Sequence, residues 1–163
     1  MRTFVTALVW FVLVGFASAK DPGKESVARL KTVLLFGTND DLAKVVPEAK
    51  VAKKAHSTRM QLLKDLNFSS YGLMGIDTKP IWRSYTNWAS PMKGSDEILL
   101  SFEPNSAAEA DGVKLDLELW QGKRKVMKTT QPLKNGKWLY IAGPEWRDGR
   151  LIIGIELLPL TEK

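Results

Sequence analysis

The sequence predicts a mainly β protein, an antiparallel β-sandwich or small barrel of about seven to eight strands. It places one main α-helix near residues 47–66. Three observations carry this reading. Residues 113–120, "VKLDLELW", alternate apolar and polar side chains at the two-residue period of a half-buried strand. After Phe68, short apolar runs recur between turn residues at Gly122, Asn135-Gly136 and Asp148-Gly149. Before that point only one long segment has the spacing of a helix.

The elements follow in order. "KDPGKES", residues 20–26, is a polar lead-in with a Pro-Gly turn signal. "VARLKTVLLFG", residues 27–37, puts Ala28, Leu30, Leu34 and Phe36 on one side and Arg29 and Lys31 on the other, a strand pattern. "TNDD" breaks it. In residues 47–66, Pro47 suits the first helical position and Glu48 the positive end of the helix dipole. Ala52, Ala55, Leu62, Leu63 and Leu66 form a narrow apolar stripe interrupted by Arg59, which predicts a helix lying on one sheet. "FSSYGLMGI" and "IWRSYTNW" are weaker strands. In "EILLSF" Ile98, Leu100 and Phe102 share a face. In residues 113–119, Val113, Leu115, Leu117 and Leu119 face inward, with Ile153 and Ile155 on a nearby strand. Lys114, Asp116 and Glu118 face out. "VMKTTQ", "KWLYIAG" and "RLIIGIELL" complete the set.

"WQGKRKVMKTT", residues 120–130, concentrates Lys123, Arg124, Lys125 and Lys128. A tight turn at Gly122-Lys123 pairs Gln121 with Arg124, Trp120 with Lys125 and Leu119 with Val126. The basic run is then a hairpin tip, solvated or anion-binding, with Lys125 placed for a cation–π contact with Trp120. It is not read as a nucleic-acid patch, because no nucleic-acid-binding signature accompanies it.

Composition bounds the function. The chain has 163 residues, a formal net charge of +6 and no cysteine. "MRTFVTALVWFVLVGFASA" has the basic start, apolar run and Ala-Ser-Ala ending of a secretory signal peptide, with cleavage expected after Ala19. An uncleaved anchor is the alternative, but the run is short for a membrane span. Residues 20–163 then form one β-rich domain with no membrane span, and loss of Arg2 lowers the formal charge from +6 to +5. The absence of cysteine excludes disulfides and thiol chemistry, and it points to a bacterial periplasm or exterior rather than a disulfide-rich eukaryotic secretion product.

No nucleotide loop, triad motif or metal-ligand spacing is present, and no cofactor is expected. His56, the only histidine, reads as a surface residue. "GTNDD", residues 37–41, reads as a turn rather than a cation loop. Asp116 and Glu118 lie about 7 Å apart at the strand repeat, and read as solvated charges rather than an acid–base pair. The aromatics are more informative. Trp120, Trp138, Tyr140 and Trp146, with Lys125, are the candidate binding residues. Exposed, they would stack on a glycan or anchor a protein partner. Alternatively, Trp120 and Trp138 lie under the helix.

"LLFGTND" (34–40), "VAKKAHSTRMQLLKDLNFSSY" (51–71) and "LYIAGPEWRDGRLIIGIEL" (139–157) resemble segments of small exported proteins of verrucomicrobial and planctomycete bacteria. Those families combine a signal peptide, one helix and a β-rich half. The resemblance implies this fold and compartment. It assigns no activity and no site. The expected function is a non-enzymatic exported module, a structural or protein-interaction component of a bacterial envelope or secretion assembly. The alternative is a carbohydrate-binding module. Neither the partner nor the oligomeric state is legible in the chain.

Overall fold

A computed structural model describes residues 21–61, 63–90, 97–107, 109 and 111–160. The expected leader, residues 1–19, lies outside them. The described chain is a β-sandwich, not a closed barrel, built from nine strands in two antiparallel sheets. Sheet A contains β2 (Lys50–Val51), β3 (Ser70–Trp82), β1 (Ser26–Thr38), β9 (Gly149–Leu158) and β8 (Trp138–Trp146), in that spatial order. Sheet B contains β4 (Asn87–Ala89), β5 (Ile98–Pro104), β6 (Gly112–Gln121) and β7 (Arg124–Lys134). Two short helices, α1 (Leu42–Val45) and α2 (Lys54–Gln61), lie between β1 and β3.

The core between the sheets follows the alternation. Val113, Leu115, Leu117 and Leu119 of β6 are buried against Ile98, Leu100 and Phe102 of β5 and, from the facing sheet, Leu30, Leu34, Phe36, Ile153 and Ile155. Each such side chain contributes about 1.5–3 kcal/mol on leaving water. A second core forms on the opposite face of sheet A. There Val33, Leu35 and Ile152 meet Ala52, Met60 and Leu66 from the α2 segment, closed by Tyr71. β1 is therefore buried on both faces along most of its length, which explains why "VLLF" is apolar without a break.

Several expectations need correcting. The helix occupies only Lys54–Gln61 within the expected stretch. Pro47 precedes it in a turn closed by Ala49 N–H to Val46 C=O. Lys50 and Val51 are claimed by β3, where they pair with Leu73 and Gly72. Sheet hydrogen bonds outweigh a weak local helix preference there. Of the expected stripe, Ala52 and Leu66 are buried but Leu63 is exposed, and Met60 takes the central buried place. Leu62 lies outside the described residues.

The two weak strands also differ from expectation. The first extends into a continuous β3 that runs through Pro80. This is possible because β2 covers only the other end of β3, so Pro80 has no sheet partner on its far side.

The hairpin tip forms as expected at its end, with Trp120 opposite Lys125 and Gln121 opposite Arg124. Leu119, however, pairs with Met127. Val126 is the extra residue of a β-bulge, which twists the strand end. Gly122 has φ +58°, the left-handed value this tight turn requires. The last turn is centred on Arg147 and Asp148 rather than on Gly149. Arg147 carries φ +49°, a strained value for a non-glycine residue. Its guanidinium is held by the Val45 carbonyl at 2.6 Å, by Glu48 at 3.6 Å and by the Trp146 ring at 4.1 Å. Gly149 serves close packing instead, since a Cβ there would meet the Gly37 carbonyl oxygen.

Candidate functional site: the outer face of sheet B

The five expected binding residues do not meet. Trp138 and Tyr140 point to the outer face of sheet A, under α2. Trp146 ends β8 with its ring edge-on to Phe36, centroids 5.5 Å apart, and packs on the main core. Trp120 and Lys125 stay together on the outer face of sheet B, apart from the other three.

That face is set by register. Trp88 of β4 lies opposite Ser101, which lies opposite Glu118 and then Lys128. One row away, Leu99 faces Trp120, which faces Lys125. Trp88 and Trp120 come within 6.1 Å between ring centroids, with planes inclined at 56°. Trp88 is 44% exposed and Trp120 partly buried. The indole N–H of Trp120 donates to Glu118 Oε2 at 3.3 Å, and Lys125 Nζ sits 5.0 Å above the Trp120 ring. Lys125 and Lys128 both reach Glu118 Oε1, at 2.8 and 3.3 Å. Asp116, further along β6, accepts from Thr130 Oγ1 at 2.6 Å and from Asn105 Nδ2 at 3.0 Å.

The hydrogen bond from Lys125 chiefly, with Lys128 and Trp120, holds the Glu118 carboxyl below its ordinary range. Bonds from Thr130 and Asn105 do the same for Asp116. Both stay ionised and engaged, which suits a fixed polar surface better than proton transfer. Trp88 is the residue that sequence reasoning left out of the site. Its strand has three residues, too few for an alternation to be read.

On sheet A the aromatics do a different job. Trp138 and Tyr140 stack with centroids 6.0 Å apart, and the His56 ring stands edge-on to Trp138 at 4.6 Å. His56 Nδ1 lies 2.8 Å from the Tyr140 hydroxyl. Burial pushes the Tyr140 hydroxyl up to about 12. Burial, then Lys31 and Lys53, hold His56 below its usual value. The hydrogen bond therefore joins a protonated phenol and a neutral imidazole. His56 is thus half-buried and bonded, not a surface residue, because α2 turns it onto β8. Lys31 Nζ binds Glu156 at 3.2 Å and lies 5.2 Å from the Trp138 ring, closing the cluster.

Gly37 and Thr38 end β1, and residues 39–41 bend the chain into α1. Asn39 Oδ1 accepts the Ser69 N–H, and Asp41 caps α1 by accepting the Ala43 N–H. Among the described residues no group of three or more acidic or histidine side chains is placed to share a metal ion, and no helix is long and apolar enough to cross a membrane. No family model, curated protein or solved structure matches the chain.

Proposed function

We propose that this chain is an exported, non-enzymatic β-sandwich module that docks a protein component of a bacterial envelope or secretion assembly through the outer face of sheet B. The observation that carries the reading is the Trp88–Trp120 pair, inclined at 56° on a sheet face made mostly of polar and charged side chains. Large exposed indoles set in a polar surround are the usual anchors of protein contacts. Export rests on the leader pattern of residues 1–19 and on the lack of cysteine.

The same pair supports a second reading, carbohydrate binding, since indoles stack on sugar rings and Asp116, Asn105 and Thr130 lie on the same sheet. The inclination argues against it: the two rings offer a notch rather than one plane for an extended glycan. A notch suits a protruding side chain of a partner.

The test is the double variant Trp88→Ala/Trp120→Ala, examined by thermal melt, by cross-linking to envelope extract and on a glycan array. Loss of a cross-linked protein partner with the melt nearly unchanged supports docking. Loss of a glycan signal instead selects the carbohydrate reading. Unchanged binding in both assays rejects this face.

A further inference from the structure

Three features converge beside the indole pair. The first is uncompensated positive charge. Lys125 and Lys128 share the single carboxylate of Glu118, while Lys123 and Arg124 at the tip are exposed and have no ion-pair partner among the described residues. The second is a cleft of about 390 Å³ between the two sheets at their common open flank, where β7 and β8 are the edge strands. Arg124, Lys125, Val126 and Met127 line it from sheet B, and Ala142, Gly143 and Pro144 line it from sheet A.

The third feature explains why the cleft exists. β7 carries a bulge at Val126, and β8 carries one at Gly143-Pro144, where two residues oppose Leu151. Bulges on facing edge strands bend both edges and interrupt their pairing groups, so the sheets part there. Gly143 cannot be replaced cheaply, because a Cβ would lie 2.8 Å from the Leu151 carbonyl oxygen. Lys125 links the regions: it lies over Trp120 on the outer face and also lines the cleft.

We propose that the segment seated on this face is an acidic protein segment with an apolar anchor, its carboxylates over Lys123, Arg124 and Lys125 and its anchor entering the cleft between β7 and β8. This rests on the reading of the sheet B face as the contact face. Val126 and Met127 beside the cations Arg124 and Lys125 select an apolar side chain flanked by Asp or Glu, and the cations repel basic segments.

The experiment pans a phage-displayed random library of peptides about twelve residues long against the whole chain, then measures the selected peptides in solution. Enrichment of Asp and Glu around a Leu, Met or Phe is expected. Affinity should fall about tenfold between about 50 and 300 mM salt. Arg124→Glu should weaken binding by about tenfold with an unchanged melt. Enrichment of neutral or basic peptides would overturn the inference. Peptides that need both tryptophans yet ignore Arg124→Glu would overturn it alone. Peptides that bind the Trp88→Ala/Trp120→Ala variant as well as the native chain would overturn the contact-face reading with it.

Discussion

The two outer faces of the sandwich carry the same kind of residue and use it differently. On sheet A, Trp138 and Tyr140 stack, meet His56 of α2 and border a second core. On sheet B, Trp88 and Trp120 meet each other, Trp120 also meets Lys125 and Glu118, and Trp88 stays open. The difference is the connection between β1 and β3. It is long enough to return over sheet A and lay Ala52, Met60 and Leu66 on it, and among the described residues nothing comparable crosses sheet B. An aromatic on the polar side of a strand therefore marks a cover or a contact, and only the neighbouring layer decides which.

The comparison can be tested from its strongest term downward. Leu117 belongs to the core both sheets share and is wholly buried, so Leu117→Ala should cost about 2–5 kcal/mol in chemical denaturation. A cost below about 1 kcal/mol would mean that the β6 register is wrong. Trp138→Ala should cost about 3 kcal/mol, because it opens the seat of α2. Hydrogen exchange should rise in residues 54–61 before it rises in β6. If exchange rises uniformly, α2 is not a separate layer.

A pH term acts on sheet A alone. His56 has a folded-state pKa below its ordinary value of about 6.5, so the folded protein binds this proton less readily than the unfolded chain. Stability should therefore be full above about pH 6.5 and fall as acid is added, until the folded histidine itself is protonated. The melting temperature should drop between about pH 7 and 5 in the native chain, and much less in His56→Gln. The lowered carboxyls of Asp116 and Glu118 on sheet B add a separate loss at lower pH, still present in His56→Gln. A native chain with a flat profile above pH 5 would show that His56 is not held neutral.

The smallest effect should come from the open face. Trp88→Ala should change stability by no more than about 1 kcal/mol, since its ring is largely in water on one side. A loss near that of Trp138→Ala would mean that sheet B is also covered, and would remove the basis for a contact there.

Much of the framework was readable along the chain because it depends on neighbours in sequence. The inward leucines of β6 follow from an uninterrupted alternation, and the tip at Gly122 from a glycine that can take positive φ. The placement of Lys125 over Trp120 follows from counting across that turn. The reading failed where a distant partner competes with local preference. Residues 47–53 look helical until β3 takes Lys50 and Val51 into its ladder, and the Leu119 pairing shifts because Val126 is bulged out.

By itself, then, the sequence determined a cysteine-free, basic, β-rich chain with a leader-like start, an inward β6 leucine face and a cationic hairpin tip. Each of these is a property of composition or of a strand and its own turn. The tertiary structure decided how the tryptophans divide, that His56 is half-buried and bonded to Tyr140, and that two bulges lie beside a common cleft. Those outcomes depend on which strands become edges and where the β1–β3 connection lands. Both are set by packing between residues far apart in the chain, which no local period records.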